Sequence, residues 1–146
     1  DSNRILEQIS QRKKLIDAVV ITGGEPTIQP DLAEFAVAVQ KLGLAVKLDT
    51  NGSRPDIVQS MIEMKLVDYI AMDVKAPPEK YGLLCGIDGF WPKIADSIDI
   101  ISRSVITAEF RTTFVTDLLD EQDLEMIRNY LPDNCTYKIQ EYVRKK

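Results

Sequence analysis

The run Val19-Val20-Ile21-Thr22-Gly23-Gly24-Glu25-Pro26 carries a β-branched apolar strand into two glycines, a carboxylate and a helix-opening proline. A strand that turns at once into a helix is the building unit of parallel α/β folds. The paired glycines let backbone amides and carbonyls approach a ligand with no Cβ in the way. Glu25 sets a negative charge beside them, so the turn suits a small ligand bearing an ammonium group. Phosphate is disfavoured twice: no Gly-Lys-Ser/Thr follows, and Glu25 would repel it. The G-x-G-x-x-G spacing of dinucleotide sites is absent as well. Taken alone, the run is equally well explained as a tight turn with no ligand.

Outward from that turn the chain alternates strand and helix. Residues 4–15 read as a helix with Ile5, Leu6 and Ile9 on one face. The apolar stretch 18–22 reads as a strand covered on both sides. Asp31, with Glu34 three positions on, is placed to cap a helix carrying Leu32, Phe35, Ala36, Val39 and Leu42, which Gly43 ends. Residues 44–49 form a second strand, and Ser53 and Pro55 open a helix through Met64. Residues 67–74 form a third strand. A longer connection with Pro77, Pro78, Gly82, Gly86 and Gly89 reads as an irregular loop. A helix over 92–102, a strand over 106–115, a helix through Leu124, Ile127 and Leu131, and a strand over 136–143 complete the pattern.

Regular βα alternation means parallel strands. Five strands are too few to close an eight-stranded barrel. A partial (β/α) barrel is the expected fold, over one domain spanning 1–146; a flavodoxin-like open sheet is the alternative. Net charge of −5, with no long basic run, argues against nucleic-acid or anionic-membrane binding. No apolar stretch reads as a membrane span or a signal peptide, so a cytoplasmic setting is expected. The chain has no histidine, which removes histidine-ligated zinc and a Ser-His-Asp triad. Two cysteines, Cys85 and Cys135, cannot make a disulfide framework and read as free thiols. Trp91 reads as a packed corner or a lid, the acidic segment 117–123 as a solvated helix start, and Arg144-Lys145-Lys146 as a solvated tail.

Ligands of parallel α/β folds sit at the C-terminal ends of the strands. Four polar clusters fall there: Gly23-Gly24-Glu25-Pro26, Asp49-Thr50-Asn51-Gly52, Asp73-Val74-Lys75, and Arg111-Thr112-Thr113. Each has a plain reading. Asn-Gly is turn chemistry, Asp73 and Lys75 share a strand face and suit a salt bridge, and Arg111 needs only a nearby acid. Their gathering on one rim favours a zwitterionic ligand, with acids for its ammonium and Lys75 and Arg111 for its carboxylate.

These residues, in this order, resemble the radical S-adenosylmethionine enzymes, in the branch that activates glycyl radical enzymes. Thr22-Gly-Gly-Glu-Pro-Thr27, Leu48-Asp-Thr-Asn-Gly52, the run from Val67 to Tyr81 and Phe110-Arg-Thr-Thr-Phe114 are similar to activating proteins of anaerobic ribonucleoside-triphosphate reductase. The resemblance implies that backbone groups of Gly23 and Gly24, with Glu25, hold the methionyl ammonium of S-adenosylmethionine. It implies that Lys75 and Arg111 lie near its carboxylate and Asn51 near its ribose. Asp49, Thr50, Asp73 and the carbonyl of Ala71 match positions that hold a monovalent cation in such enzymes. Reductive cleavage of the cofactor to a 5′-deoxyadenosyl radical, hydrogen abstraction from a glycine of the partner, and a flavodoxin or ferredoxin as electron donor are implied likewise.

The family's 4Fe-4S cluster sits on a C-x3-C-x2-C loop, and three such thiolates are required. This chain has no such triplet. It is therefore expected to be a fragment lacking the first strand and the cluster loop, inactive alone. Two alternatives are a deazaguanine-synthase-like enzyme acting on a small molecule, and a non-catalytic α/β domain that binds S-adenosylmethionine or a similar zwitterion.

Overall fold

Every expected strand forms. In the computed structural model, which describes residues 2–86, 89–133 and 135–142, five parallel strands lie side by side in chain order. They are β1 (Ala18–Ile21), β2 (Ala45–Thr50), β3 (Tyr69–Asp73), β4 (Thr107–Phe114) and β5 (Thr136–Glu141). Six helices accompany them: α1 (Ser2–Arg12), α2 (Leu32–Lys41), α3 (Pro55–Glu63), α4 (Pro78–Cys85), α5 (Trp91–Arg103) and α6 (Glu121–Tyr130). The consecutive order excludes the flavodoxin-like arrangement, in which the order reverses at a switch point. It is that of an open, partial barrel. Val143, at the end of the last expected strand, and the tail 144–146 lie outside the described residues.

Period-two alternation gives the sheet two unlike faces. Val46, Leu48, Ile70, Met72 and Phe110 point to the helical layer, where they join Val39, Val58, Met61, Ile94 and Ile127 in one apolar core. Full burial of a side chain such as Leu48 is worth about 1.5–3 kcal/mol relative to leaving it exposed. The intervening residues, among them Lys47, Asp49, Tyr69, Asp73, Glu109, Arg111 and Lys138, share the opposite, inner face.

Several expectations need correction. β1 is not covered on both sides: it is an edge strand, and Val20, on the inner face, is 50% exposed. The connection over 77–89 contains a helix, α4, because Pro78 stands at its start, where no N–H is needed, and Gly86 supplies the left-handed cap (φ 69°). Asp31 precedes α2 but makes no capping hydrogen bond; its Oδ2 accepts from Ser2 Oγ at 2.7 Å, tying the start of α1 to α2. The first helix stops at Arg12, and Leu15 is exposed. The acidic segment is not merely solvated. Asp120 and Asp123 form a reciprocal capping box, and Asp123 is buried. The packed-corner reading of Trp91 holds: it opens α5 and packs edge-on between Tyr81 and Tyr130, at centroid distances of 5.5 and 4.9 Å.

Candidate functional site

The four clusters meet at the C-terminal rim of the sheet, and the turn after β1 anchors them. Gly23 (φ 94°) and Gly24 (φ 57°) both occupy the left-handed region, which glycine enters at no steric cost. They aim Glu25 back across the sheet. Its Oε1 accepts from Thr27 N (3.1 Å), Thr27 Oγ1 (2.6 Å) and Thr50 Oγ1 (2.7 Å). Its Oε2 accepts from Asn51 N at 2.7 Å. Glu25 thus stitches the β1 turn to the end of β2. A carboxylate offers about four lone-pair sites, so Oε2 retains acceptor capacity.

The loop after β2 is fixed from both sides. Thr50 Oγ1 accepts from Gly52 N (3.1 Å), and Asn51 Oδ1 accepts from Ser53 N (2.9 Å). The buried Ser97 hydroxyl of α5 donates to Gly52 O at 2.8 Å. The Asn51 amide NH2 has no hydrogen-bond partner among the described residues, which leaves it available at the rim.

Arg111 does not pair with one acid but brackets two. Its Nε donates to Asp73 Oδ1 at 2.8 Å, and its two terminal nitrogens reach Asp49 Oδ2 at 3.2 and 3.3 Å. Both carboxylates hold its pKa above the ordinary value against the opposing effect of burial. Below it lies Glu109, 4% exposed and in ion-pair contact with Lys138, with Lys47 (3.5 Å) and with Arg111 (4.0 Å). Burial alone would raise the Glu109 pKa; the adjacent Lys138 ammonium and Tyr69 side chain and the Lys47 charge carry it below the usual carboxylate range. Lys47 also approaches Asp49 Oδ1 (3.7 Å) and the Tyr69 ring. Sequence reading missed Lys47, Tyr69, Glu109 and Lys138. The signal was present as charges alternating with core residues in Val46-Lys47-Leu48-Asp49 and Ala108-Glu109-Phe110-Arg111.

Lys75 stands apart from this lattice. It is exposed just past β3, and it has no ion-pair partner among the described residues; the plain reading of an Asp73–Lys75 bridge gives way to Asp73–Arg111. A pocket of about 190 Å³ opens beside it, lined by Asp73, Lys75, Arg111 and Thr113 at its polar end and by Leu84 and Leu118 at its apolar end. Burial pushes the nearby Cys85 thiol up, and the Lys75 charge only partly offsets that. Two walls of the pocket, α4 and the segment leading to α6, are bolted together by Lys80 Nζ and Asp123 Oδ2 at 2.6 Å.

The groups that the sequence suggested fit unequally. A zwitterion finds an available cation at Lys75, two remaining N–H groups on Arg111, and acceptor capacity at Glu25 Oε2. A cluster of iron and sulfide does not fit. Cys85 closes α4 at the C-terminal rim, whereas Cys135 precedes β5 at the other end of the sheet. Among the described residues no three His, Cys, Asp or Glu side chains group to hold a metal. A monovalent cation meets a competitor there. Asp73 Oδ1 and Asp49 Oδ2 accept from a guanidinium, the buried Asp49 Oδ1 has no hydrogen-bond partner among the described residues and faces Lys47 Nζ at 3.7 Å, and Thr50 Oγ1 is turned to the other face, where Glu25 engages it. Ala71 lies in register between Asp49 and Glu109. No helix among the described residues is long and apolar enough to cross a membrane.

Comparison with known proteins bears on the family and the fold. The family model described as the Radical SAM superfamily matches residues 1–131. A Methanocaldococcus jannaschii protein named as a glycyl-radical enzyme activating enzyme is 41% identical over 131 residues, covering 86% of this chain and 55% of that protein. A second protein so named, from the same organism, is 31% identical over 148 residues, covering 97% and 55%. The chain therefore spans about half the length of these relatives. Among solved structures, TYW1 with a lysine-pyruvate adduct bound superposes with a TM-score of 0.71 at 18% identity, covering 99% of this chain and 55% of that one.

Proposed function

Because the chain belongs to the Radical SAM superfamily, we propose that it is the S-adenosylmethionine-holding part of an activase that installs a glycyl radical on a partner enzyme. The names of the two relatives support the class of activity. The run 67–81 and the strand 110–114 favour anaerobic ribonucleoside-triphosphate reductase as the partner, by their resemblance to its activating proteins. The observation that carries the reading is a pocket lined by Lys75 and Arg111, the lysine without an ion-pair partner among the described residues, at the same strand ends that carry the Glu25–Asn51 contact. Backbone groups of Gly23 and Gly24, with Glu25 Oε2, receive the methionyl ammonium. Lys75 receives the carboxylate, with the remaining N–H groups of Arg111 beside it, and Asn51 faces the ribose.

The cofactor supplies the radical chemistry; the protein's share is binding, orientation and electrostatics. The resemblance implies a 4Fe-4S cluster, which would need three thiolates that this sequence does not contain, and a flavodoxin or ferredoxin of the cytoplasm as electron donor. Lys75→Ala tests the reading in the full-length protein, by calorimetric titration with S-adenosylmethionine. Loss of one charge-assisted contact is worth roughly 1.5–3 kcal/mol, or about 10- to 100-fold in Kd. A Kd unchanged by the substitution would overturn the carboxylate assignment, and no binding by the unaltered protein would overturn the function.

A further inference from the structure

The resemblance calls for a metal cation among Asp49, Thr50, Asp73 and the Ala71 carbonyl, and the structure has a guanidinium between the two acids. We propose that Arg111 is the built-in counter-charge of this carboxylate pair, so that the rim requires no monovalent metal ion. Three observations carry this. One guanidinium reaches both acids, at 2.8 Å to Asp73 Oδ1 and 3.2 and 3.3 Å to Asp49 Oδ2, and the other, buried oxygen of Asp49 faces the Lys47 ammonium at 3.7 Å. That contact is dictated by the sheet itself, because Asp73 and Arg111 are register partners on neighbouring strands of the inner face. Second, the hydroxyl that would complete a cation's oxygen set is engaged elsewhere. Thr50 Oγ1 donates to Glu25 and accepts from Gly52 N, on the helix-covered side of β2.

Third, the ion-paired groups of the inner face balance among themselves. Asp49, Asp73 and Glu109 give three negative charges, and Lys47, Arg111 and Lys138 give three positive ones. A metal ion would add an unbalanced charge next to a guanidinium. Asp49 and Asp73 thereby act as positioning residues, through Arg111, for whatever binds at the rim.

The test is made on the intact protein and starts without ligand. Thermal unfolding is followed at one ionic strength in sodium, potassium and tetramethylammonium chloride. The unaltered protein should show midpoints agreeing to within about 2 °C, below the shift that a lost ion site would cause. Arg111→Met frees both carboxylates, and its midpoint should be higher in sodium or potassium than in tetramethylammonium. A cation-dependent midpoint in the unaltered protein overturns the proposal, as does an Arg111→Met protein indifferent to the cation. Should that variant fail to fold, thallium-205 NMR of the unaltered protein decides: a bound thallium resonance overturns the proposal, and its absence upholds it.

A second arm rests on the proposed function for its ligand. The affinity of the full-length protein for S-adenosylmethionine should change less than about twofold among the three salts, far short of the tenfold that 1.4 kcal/mol would produce. A tenfold loss in tetramethylammonium overturns the proposal. An absence of binding in every salt overturns the functional reading instead, while the unfolding series still decides this one.

Discussion

Gly52→Ala should be among the most damaging single-methyl additions in this chain. Two costs add. The residue has φ 71°, where an L side chain is strained by roughly 1 kcal/mol. The new Cβ would also lie 2.1 Å from Met72 Cε, 3.0 Å from its Sδ and 3.3 Å from Ser97 Cβ. Met72 is a flexible residue, but it is completely buried and its terminal methyl has no solvent to swing into. Overpacking of that kind costs typically 1–3 kcal/mol, for a total of about 2–4 kcal/mol. Gly43→Ala is the matched control: φ is 81°, yet its Cβ would meet nothing within 4 Å, so only the backbone cost of roughly 1 kcal/mol applies. Urea unfolding followed by Trp91 fluorescence measures both variants, and at equal slopes the difference in midpoint isolates the steric contribution. Equal destabilisation in the two would refute the argument, since it would mean that Met72 yields without cost.

Three further outcomes follow from the same contacts. Glu25→Gln turns one acceptor oxygen into a donor facing either the Thr27 and Thr50 group or the Asn51 N–H, and should cost about 1.5–3 kcal/mol in chemical unfolding. Lys80→Met leaves the buried Asp123 with only its capping partner, and should lower the midpoint of a urea melt at neutral pH. Glu109 and Asp123 both have pKa values lowered in the folded state from 4.5 and 3.8, so their stabilisation is complete above those values and is lost as pH falls through the lower folded-state ones. Glu109→Gln should therefore flatten the acid limb of the stability–pH curve, and an unchanged limb in acid titrations followed by circular dichroism would contradict the assignment.

Strands and the larger helices were legible because their apolar spacing is decided by one covered face. Leu32, Ala36 and Val39 announce α2, and Val46 with Leu48 announces β2, whatever lies nearby. α4 was hidden because its sequence, with Pro78, Gly82 and Gly86, carries three residues that punctuate loops; here the first opens the helix and the last caps it. The exposure of Val20 was hidden because a short apolar run looks alike at the edge and in the middle of a sheet. At the site, the convergence of strand ends followed from topology alone. Which charge meets which did not. Arg111 meeting Asp49 and Asp73 requires the register of three strands, and no single strand's sequence contains that information.

The charge lattice on the inner face also proofreads the alignment of the strands. A slip of one residue in β4 would exchange Glu109 and Arg111 with Phe110 and Thr112. Two charges would then point among Val58, Ile94 and Ile127, and a phenyl ring would face the inner side between Asp49 and Lys138. Burying an unpaired charge is costlier than losing a few contacts, so misaligned sheets are rejected by electrostatics as well as by packing. Residues that poise the rim for a ligand thus also select the one threading of the chain in which the rim exists.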